Sequence, residues 1–136
     1  MIKHYACPVI LFVWSMLPVP VVAGEIKEMT AQELHSLSQA GQAPVIVDAR
    51  SGVEYRGGHI PGAVHIPFWS AYWRADRLPV SGHDPVVVYC AHGPRAGVAR
   101  WGLNLAGIPN VIYLKGHMTG WRKQALPEVK GDSPGE

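Results

Sequence analysis

Three short β-branched runs constrain the fold more than any other feature of this chain. They are Val45–Asp48, Val86–Tyr89 and Val111–Leu114, and segments with helix signals separate them. Strands that alternate with helices predict an α/β fold, in which a mainly parallel sheet is covered by helices on both faces. Ligands bind at the carboxyl ends of such strands. Asp48 and Cys90 both fall at these ends, so we expect them at one edge of the sheet.

Helix and turn signals place the remaining elements. Two residue pairs, Thr30 with Glu33 and Ser51 with Glu54, have the spacing of a capping box, and each should start a helix. The further predicted elements are strands at 26–29 and 63–66, helices at 31–41, 51–56, 68–74 and 96–106, and a last helix that begins at 121.

Cys90 is the strongest candidate for chemistry. It directly follows a buried strand, and a short loop then leads into a helix rich in small residues. A thiol below loop N–H groups and a helix N-terminus has its thiolate favoured. Gly93 allows the loop to curl around the sulfur, and Arg95 adds a permanent positive charge. An inert core position is the alternative for a cysteine at the end of an apolar run.

Length and composition exclude several classes of protein. The chain has 136 residues, a formal net charge of +2 and 48% hydrophobic residues, which fits one globular domain. The charge is too small to indicate a nucleic-acid partner. No set of three or four ligands has the spacing of a known metal site, so we expect neither a metal nor another cofactor. The oligomeric state stays open.

Residues 1–23 have the pattern of a secretory signal peptide. A basic start precedes an apolar stretch, and small residues precede a predicted cut after Ala23. We therefore expect an exported, periplasmic domain at 24–136, in which Cys90 is the only cysteine because Cys7 leaves with the signal. Such a domain has no internal disulfide, and its lone thiol points to chemistry. An uncleaved membrane anchor is the alternative, since the stretch is about long enough to span a bilayer.

Four motifs, in their order along the chain, resemble those of the rhodanese (thiosulfate sulfurtransferase) family. They are V-D-A-R at 47–50, E-Y-R-G-G-H-I-P-G-A at 54–63, C-A-H-G-P-R at 90–95 and L-K-G-H-M-T-G-W at 114–121. The last motif has His117 where the family usually has a second glycine. The resemblance covers about 26–129, which is nearly the whole chain after the N-terminal segment.

The resemblance implies a three-layer rhodanese-like domain with sulfurtransferase activity and no cofactor. Cys90 would be the catalytic nucleophile, which takes a sulfane sulfur from an anionic donor such as thiosulfate and passes it to cyanide or a thiol. Arg95 would clamp the donor, while Pro94 leaves the loop with one N–H donor fewer. The implied substrate-binding residues are Ala91, His92, Gly93, Arg95 and Ala96, and the supporting residues are Asp48, Arg50 and His59.

Other residues are expected to have structural roles. Glu54 is predicted to cap a helix, Asp48 and Arg50 to hold the strand end, and His59 to hold its turn through backbone bonds. The core should contain the tryptophans Trp69, Trp73, Trp101 and Trp121, with a border of the pocket as the alternative for Trp69 or Trp73.

Two other functions stay open at this level. One is a sulfur-carrier or binding module without turnover, although binding modules of this type usually lack the cysteine that this chain retains. The other is a phosphatase, because phosphatases with a similar loop have the pattern C-x5-R. Here Arg95 stands five positions after Cys90, which gives C-x4-R. The shorter loop suits a single sulfur better than a phosphate.

Overall fold

A parallel five-stranded sheet forms the centre of the protein, whose computed structural model describes residues 27–133. The strands are β1 (Glu28–Met29), β2 (Val45–Asp48), β3 (Val64–His65), β4 (Val86–Tyr89) and β5 (Val111–Leu114). Their order across the sheet is β1-β5-β4-β2-β3, and all four pairings are parallel. The α/β fold predicted from the sequence is therefore confirmed.

Within the described residues, five helices cover the sheet. They are α1 (Ala31–Gln39), α2 (Gly52–Gly57), α3 (Ala71–Arg74), α4 (Pro94–Leu105) and α5 (His117–Lys123), and short 3₁₀ turns flank α3 at Phe68–Ser70 and Ala75–Arg77. Both predicted capping boxes are present at the starts of α1 and α2. In each, a Thr or Ser side chain accepts a hydrogen bond from the backbone N–H of a glutamate, whose carboxylate accepts one in return.

The alternation of β4 assigns the two faces of the sheet. Val86 and Val88 pack in one core cluster with side chains of α3 and α4, whereas Val87 and Tyr89 pack in a second cluster with side chains of α1, α2 and α5. Successive side chains of a strand point to opposite faces. Cys90 follows this alternation and joins the α4 cluster. Its sulfur is therefore placed on the side where α4 begins.

Two expectations from the sequence are wrong. The last helix begins at His117 rather than at 121, because carbonyl groups of residues far away in sequence accept hydrogen bonds from its first N–H groups. Trp121 is buried, but Trp69, Trp73 and Trp101 are 57%, 74% and 67% exposed. These three lie on the surface between α4 and the short turns around α3, where the single-turn helix is too small to cover them.

The predicted signal peptide at 1–23 lies outside the described residues. Within 27–133, no helix has both the length and the apolar character that crossing a bilayer requires.

Candidate active site at the carboxyl end of the sheet

Cys90 lies at the carboxyl end of the central strand β4, and its side chain is almost fully buried. The Sγ atom accepts a hydrogen bond from the backbone N–H of Gly93 at 2.9 Å. This contact closes the loop over the sulfur, as the sequence predicts. Cys90 is the one free cysteine among residues 27–133.

Gly93 and Pro94 let the loop pass directly into α4. Gly93 has a φ of 140°, a conformation that side chains rarely adopt, and it is the residue before the helix. Pro94 is the first residue of α4, where an N–H has no partner within the helix. Proline therefore costs the helix nothing at this position. The positive end of the α4 dipole points toward the thiol.

The environment of Cys90 favours the thiolate. Burial of the thiol raises its pKa, but the His117 side chain and the backbone N–H groups of Ala96, Gly93 and His92 act as hydrogen-bond partners that lower it. The hydrogen bonds prevail, and the pKa falls from the ordinary 9.0 to about 7. A substantial fraction of the protein thus holds an ionised sulfur near neutral pH.

The start of α5 is docked on this loop. The N–H of Met118 donates to the carbonyl of Cys90 at 3.0 Å, and the N–H of Thr119 donates to the carbonyl of Ala91 at 3.3 Å. The Thr119 hydroxyl donates to the same Ala91 oxygen at 2.9 Å. The first N–H groups of a helix need partners from outside it. Here the loop supplies them, which explains why α5 starts four residues before the predicted position.

His117 lies at the site, although the sequence alone marks it only as a departure from a motif. The backbone N–H of Cys90 donates to its Nδ1 atom at 3.3 Å, and its φ of 52° lies in the left-handed region. The only sequence feature that indicates this residue is a histidine at a motif position where the family that the motif resembles usually has glycine.

Arg95 is bound to Glu54 rather than held free. Its Nη1 and Nη2 atoms donate to the two carboxylate oxygens of Glu54 at 2.6 and 2.8 Å. Arg95 holds the pKa of Glu54 well below the usual 4.5, mainly through these hydrogen bonds. Glu54 in turn raises the pKa of Arg95, and the negative charge of Cys90 adds to this effect. The guanidinium thus lies close enough to interact electrostatically with the sulfur, but the Glu54 carboxylate already pairs with this guanidinium.

Asp48 and Arg50 form a buried ion pair beside the loop. Arg50 is 2% exposed and Asp48 is fully buried, with 2.6 Å between Nη2 and Oδ2. The Tyr89 hydroxyl donates to the same carboxylate at 2.8 Å, and Nη2 of Arg50 also donates to the carbonyl of Gly58 at 2.7 Å. These bonds connect the ends of β2 and β4 to the turn after α2. None of them reaches the Cys90 sulfur.

The comparisons with known proteins agree with this geometry. A model of the rhodanese-like domain matches residues 30–124. The chain belongs to the rhodanese-like family. Its structure resembles that of a thiosulfate sulfurtransferase from Pseudomonas aeruginosa, with a TM-score of 0.69 and 31% identity over 77% of this chain and 20% of the other.

Curated relatives of this rhodanese-like domain are distant. The uncharacterised protein slr1261 from Synechocystis is 33% identical over 88 residues, which are 65% of this chain and 48% of that protein. The putative sulfur carrier protein YrkF from Bacillus subtilis is 29% identical over 99 residues, 73% of this chain and 52% of that one. This chain thus spans about half the length of these two relatives.

Two histidines of the rhodanese-like domain, His92 in the loop after Cys90 and His59 in the turn after α2, have different environments. His92 is exposed, and its Nδ1 lies 3.3 Å from the Thr119 hydroxyl oxygen. His59 is fully buried, its Nδ1 and Nε2 atoms are each 2.9 Å from the carbonyl oxygens of Tyr55 and Ser133, and its ring stacks on Tyr55. His59 thus contacts the backbone of its turn and of the C-terminal segment.

The exposed tryptophans of this domain do not border the sulfur. With Tyr72, Val98 and Leu105 they line a shallow apolar groove of about 290 Å³ along α4. Neither Cys90 nor its loop lines that groove. Among residues 27–133, no three His, Cys, Asp or Glu side chains lie close enough together to hold a metal ion.

Proposed function

We propose that this rhodanese-like domain is a sulfurtransferase, which moves a sulfane sulfur from an anionic donor such as thiosulfate to cyanide or a thiol through a persulfide on Cys90. The observation that carries the proposal is the Cys90 sulfur itself. It is ionisable near neutral pH, with a pKa of about 7, and a loop N–H already donates to it at 2.9 Å. A thiolate in this setting is both a nucleophile and an anion that the protein stabilises.

The first displacement loads the protein. The Cys90 thiolate attacks the outer sulfur of thiosulfate, a new S–S bond forms, and the S–S bond of thiosulfate breaks. Sulfite leaves with the electron pair of that bond, and the persulfide keeps one sulfur. No oxidant, metal or cofactor is needed, because both electrons of the new bond come from the thiolate. The loop N–H groups then face a sulfur that bears negative charge.

The second displacement returns the free thiolate. Cyanide or a thiolate attacks the outer sulfur of the persulfide, and the electron pair of the broken S–S bond returns to Cys90. The products are thiocyanate, or a persulfide of the accepting thiol. Because burial limits access to Sγ, we expect a small acceptor, or the end of an extended one, rather than a folded protein surface.

The Arg95–Glu54 pair argues against a phosphatase. In an anion site for phosphate, the arginine after the nucleophile would have to bind the phosphate oxygens. Here both of the Arg95 Nη groups already bind the carboxylate oxygens of Glu54. A bound phosphate would need that arginine, whereas a persulfide on Cys90 would be held by the loop N–H groups, so sulfur chemistry is favoured.

Mass spectrometry tests the proposal. Incubation with thiosulfate should add the mass of one sulfur atom to Cys90, and cyanide should remove it and release thiocyanate. Cys90→Ser is the matched control because oxygen replaces sulfur with little change in size, and it should show neither uptake nor release. Thiocyanate production that survives in Cys90→Ser would refute the assignment.

Turnover separates the enzyme from a sulfur carrier. An enzyme should release many thiocyanate molecules for each protein molecule when thiosulfate and cyanide are in excess. A carrier without turnover should release only one for each loaded Cys90. The name of the Bacillus subtilis relative, a putative sulfur carrier, is what makes this second outcome worth measuring.

Export is a further part of the proposed function. It rests on the basic, apolar and small-residue order of residues 1–23. Cell fractionation and N-terminal sequencing should find a shortened protein in the periplasm of a Gram-negative host, cut after Ala23. A membrane-bound protein that retains Met1 would contradict export by cleavage.

A further inference from the structure

His117 keeps a side chain at a backbone position that suits glycine. Its φ is 52°, and it follows Gly116 with a φ of 78°. Left-handed conformations cost a side chain steric energy, although His is among the residues that are found there more often than most. Since glycine would relieve this cost, the imidazole must be explained by what it contacts.

Both ring nitrogens of the imidazole lie against the loop that follows Cys90. Nδ1 accepts from the Cys90 N–H at 3.3 Å, so the proton of the neutral ring is on Nε2. Nε2 faces Gly93, because it lies 3.3 Å from the position that a Cβ atom would occupy on that residue. The N–H of Gly93 is the one that donates to Sγ. The donor end of the ring thus lies against the residue whose own N–H holds the sulfur.

The loop lacks a donor that a version without proline would have. Pro94 has no N–H, although it occupies the turn that wraps the sulfur. We propose that His117 is a catalytic residue of this site, whose Nε2–H donates to the ionised Cys90 sulfur and then to the persulfide, in place of the N–H that Pro94 lacks. The persulfide half of this role rests on the proposed function, whereas the thiolate half does not.

The charges around the thiol support this role. Among the hydrogen-bond partners that lower the pKa of Cys90 against the effect of burial, the His117 side chain is the largest contributor. The charged groups nearby are mostly paired, since Arg95 binds Glu54 and Arg50 binds Asp48. Two other titratable side chains face the site, His92 next to Thr119 and Tyr113, whose ring centre is 6.2 Å from that of His117. Arg100 lies over the Tyr113 ring.

Three substitutions of His117 distinguish the contributions of its two ring nitrogens to the pKa of Cys90. His117→Gly removes both and relieves the backbone. His117→Asn can still accept from the Cys90 N–H, as Nδ1 does, but does not reach the Nε2 position. His117→Gln reaches that position with an N–H donor. His83→Asn is the matched control, because it changes an exposed histidine that precedes β4, at the opposite end of that strand from Cys90.

The readout is the pH dependence of Cys90 alkylation by iodoacetamide, measured on the whole chain by mass spectrometry of the peptide that contains Cys90. We expect the midpoint to rise by about one pH unit in His117→Gly and His117→Asn, so that about tenfold less thiolate is present below the midpoint. His117→Gln should restore most of the wild-type midpoint, and His83→Asn should leave it unchanged. The Tm of His117→Gly should be equal to or higher than that of the wild type, because glycine accepts this φ freely.

The outcomes distinguish this inference from the proposed function. An unchanged midpoint in His117→Gly, or one that His83→Asn shifts as much, would overturn the role of His117 even if thiosulfate loads Cys90 normally. A lower Tm with an unchanged midpoint would show a purely structural role and overturn it too. A raised midpoint together with a failure of wild-type protein to take up sulfur would refute the proposed function but retain the thiolate contact.

Discussion

Replacement of Glu54 by glutamine should make the domain less stable and yet improve its use of an anionic sulfur donor. Arg95 and Glu54 make two hydrogen bonds of 2.6 and 2.8 Å, and their side chains are 30% and 36% exposed. Solvent screens such a pair and weakens it. Its two parallel hydrogen bonds nevertheless place its contribution to stability at the upper end of the range for surface pairs, so we expect Glu54→Gln to lower the free energy of unfolding by about 1 kcal/mol. For a domain of this size, that loss lowers the Tm by about 4 °C.

The chain offers a matched control in Glu33. Both glutamates are third residues of a helix and close a capping box, with Thr30 and Ser51 respectively. Glutamine is tolerated at this position of the box. In the described part of the chain, no salt bridge involves Glu33. The difference between Glu33→Gln and Glu54→Gln therefore isolates the contribution of Arg95 to stability.

The effect on the donor has the opposite sign. Without the carboxylate, the full charge of Arg95 remains at the rim of the site, close enough to sense Cys90. One unit charge acting on a doubly charged donor over a distance on the order of 7 Å, in a dielectric near that of water, is worth about 1 kcal/mol. We expect the KM for thiosulfate to fall roughly fivefold to tenfold at low ionic strength, and the gain to shrink as salt is added.

Thermal unfolding and steady-state thiocyanate production measure the two effects separately. An equal loss of Tm in Glu33→Gln and Glu54→Gln would show that Arg95 contributes nothing to stability through Glu54. A thiosulfate KM that does not change at low ionic strength would show that the donor does not sense this charge. A gain of the same size with an uncharged persulfide donor would also refute the electrostatic explanation.

Three further results are expected. Arg95→Ala leaves the Glu54 carboxylate unpaired beside the donor, so kcat/KM for thiosulfate should fall by about one to two decades; an equal loss with every donor would instead show that Arg95 only shapes the loop. Asp48→Ala leaves the buried Arg50 without its partner, so urea unfolding should show a loss of about 3–5 kcal/mol in the free energy of unfolding. Asp76→Ala, at an exposed residue, should lose little, and equal losses would contradict the buried-charge argument. Because Arg95 lowers the pKa of Glu54 in the folded protein, the stabilisation by Glu54 is fully present above its ordinary 4.5 and is lost as the pH falls below that value; urea unfolding over a pH series should show wild type and Glu54→Gln converge in acid, and a gap that widens there would reverse the sign.

The central strands could be predicted from the sequence because local patterns specify them. Val45–Asp48, Val86–Tyr89 and Val111–Leu114 are short, β-branched and bounded by turn residues, and the structure has strands at these bounds. The two capping boxes are also local patterns, with partners three residues apart. Where the stabilising contacts lie within a few residues, spacing alone predicts the element.

The contacts that the sequence could not predict join residues far apart along the chain. Glu54 and Arg95 are 41 positions apart, and Cys90 and His117 are 27 positions apart. No periodicity indicates such pairs, so Glu54 was predicted only as a cap and Arg95 as a free clamp. The start of α5 was missed for the same reason, because its first N–H groups bond to the loop. The exposed tryptophans show that residue type alone does not establish burial.

The loop around Cys90 is suited to an anion because three of its carbonyl groups are bound elsewhere. The carbonyls of Cys90 and Ala91 accept from the start of α5, and that of Gly93 accepts from the Gly97 N–H at 3.2 Å. In a planar trans peptide, the C=O and the next N–H point in opposite directions. The bond from Thr119 to the Ala91 carbonyl therefore turns the His92 N–H away from α5, and that N–H is one of the groups that lower the pKa of Cys90. The α5 helix thus orients the site as well as supplying His117, since a loop with free carbonyls could rotate its oxygen atoms toward the sulfur and repel the charge.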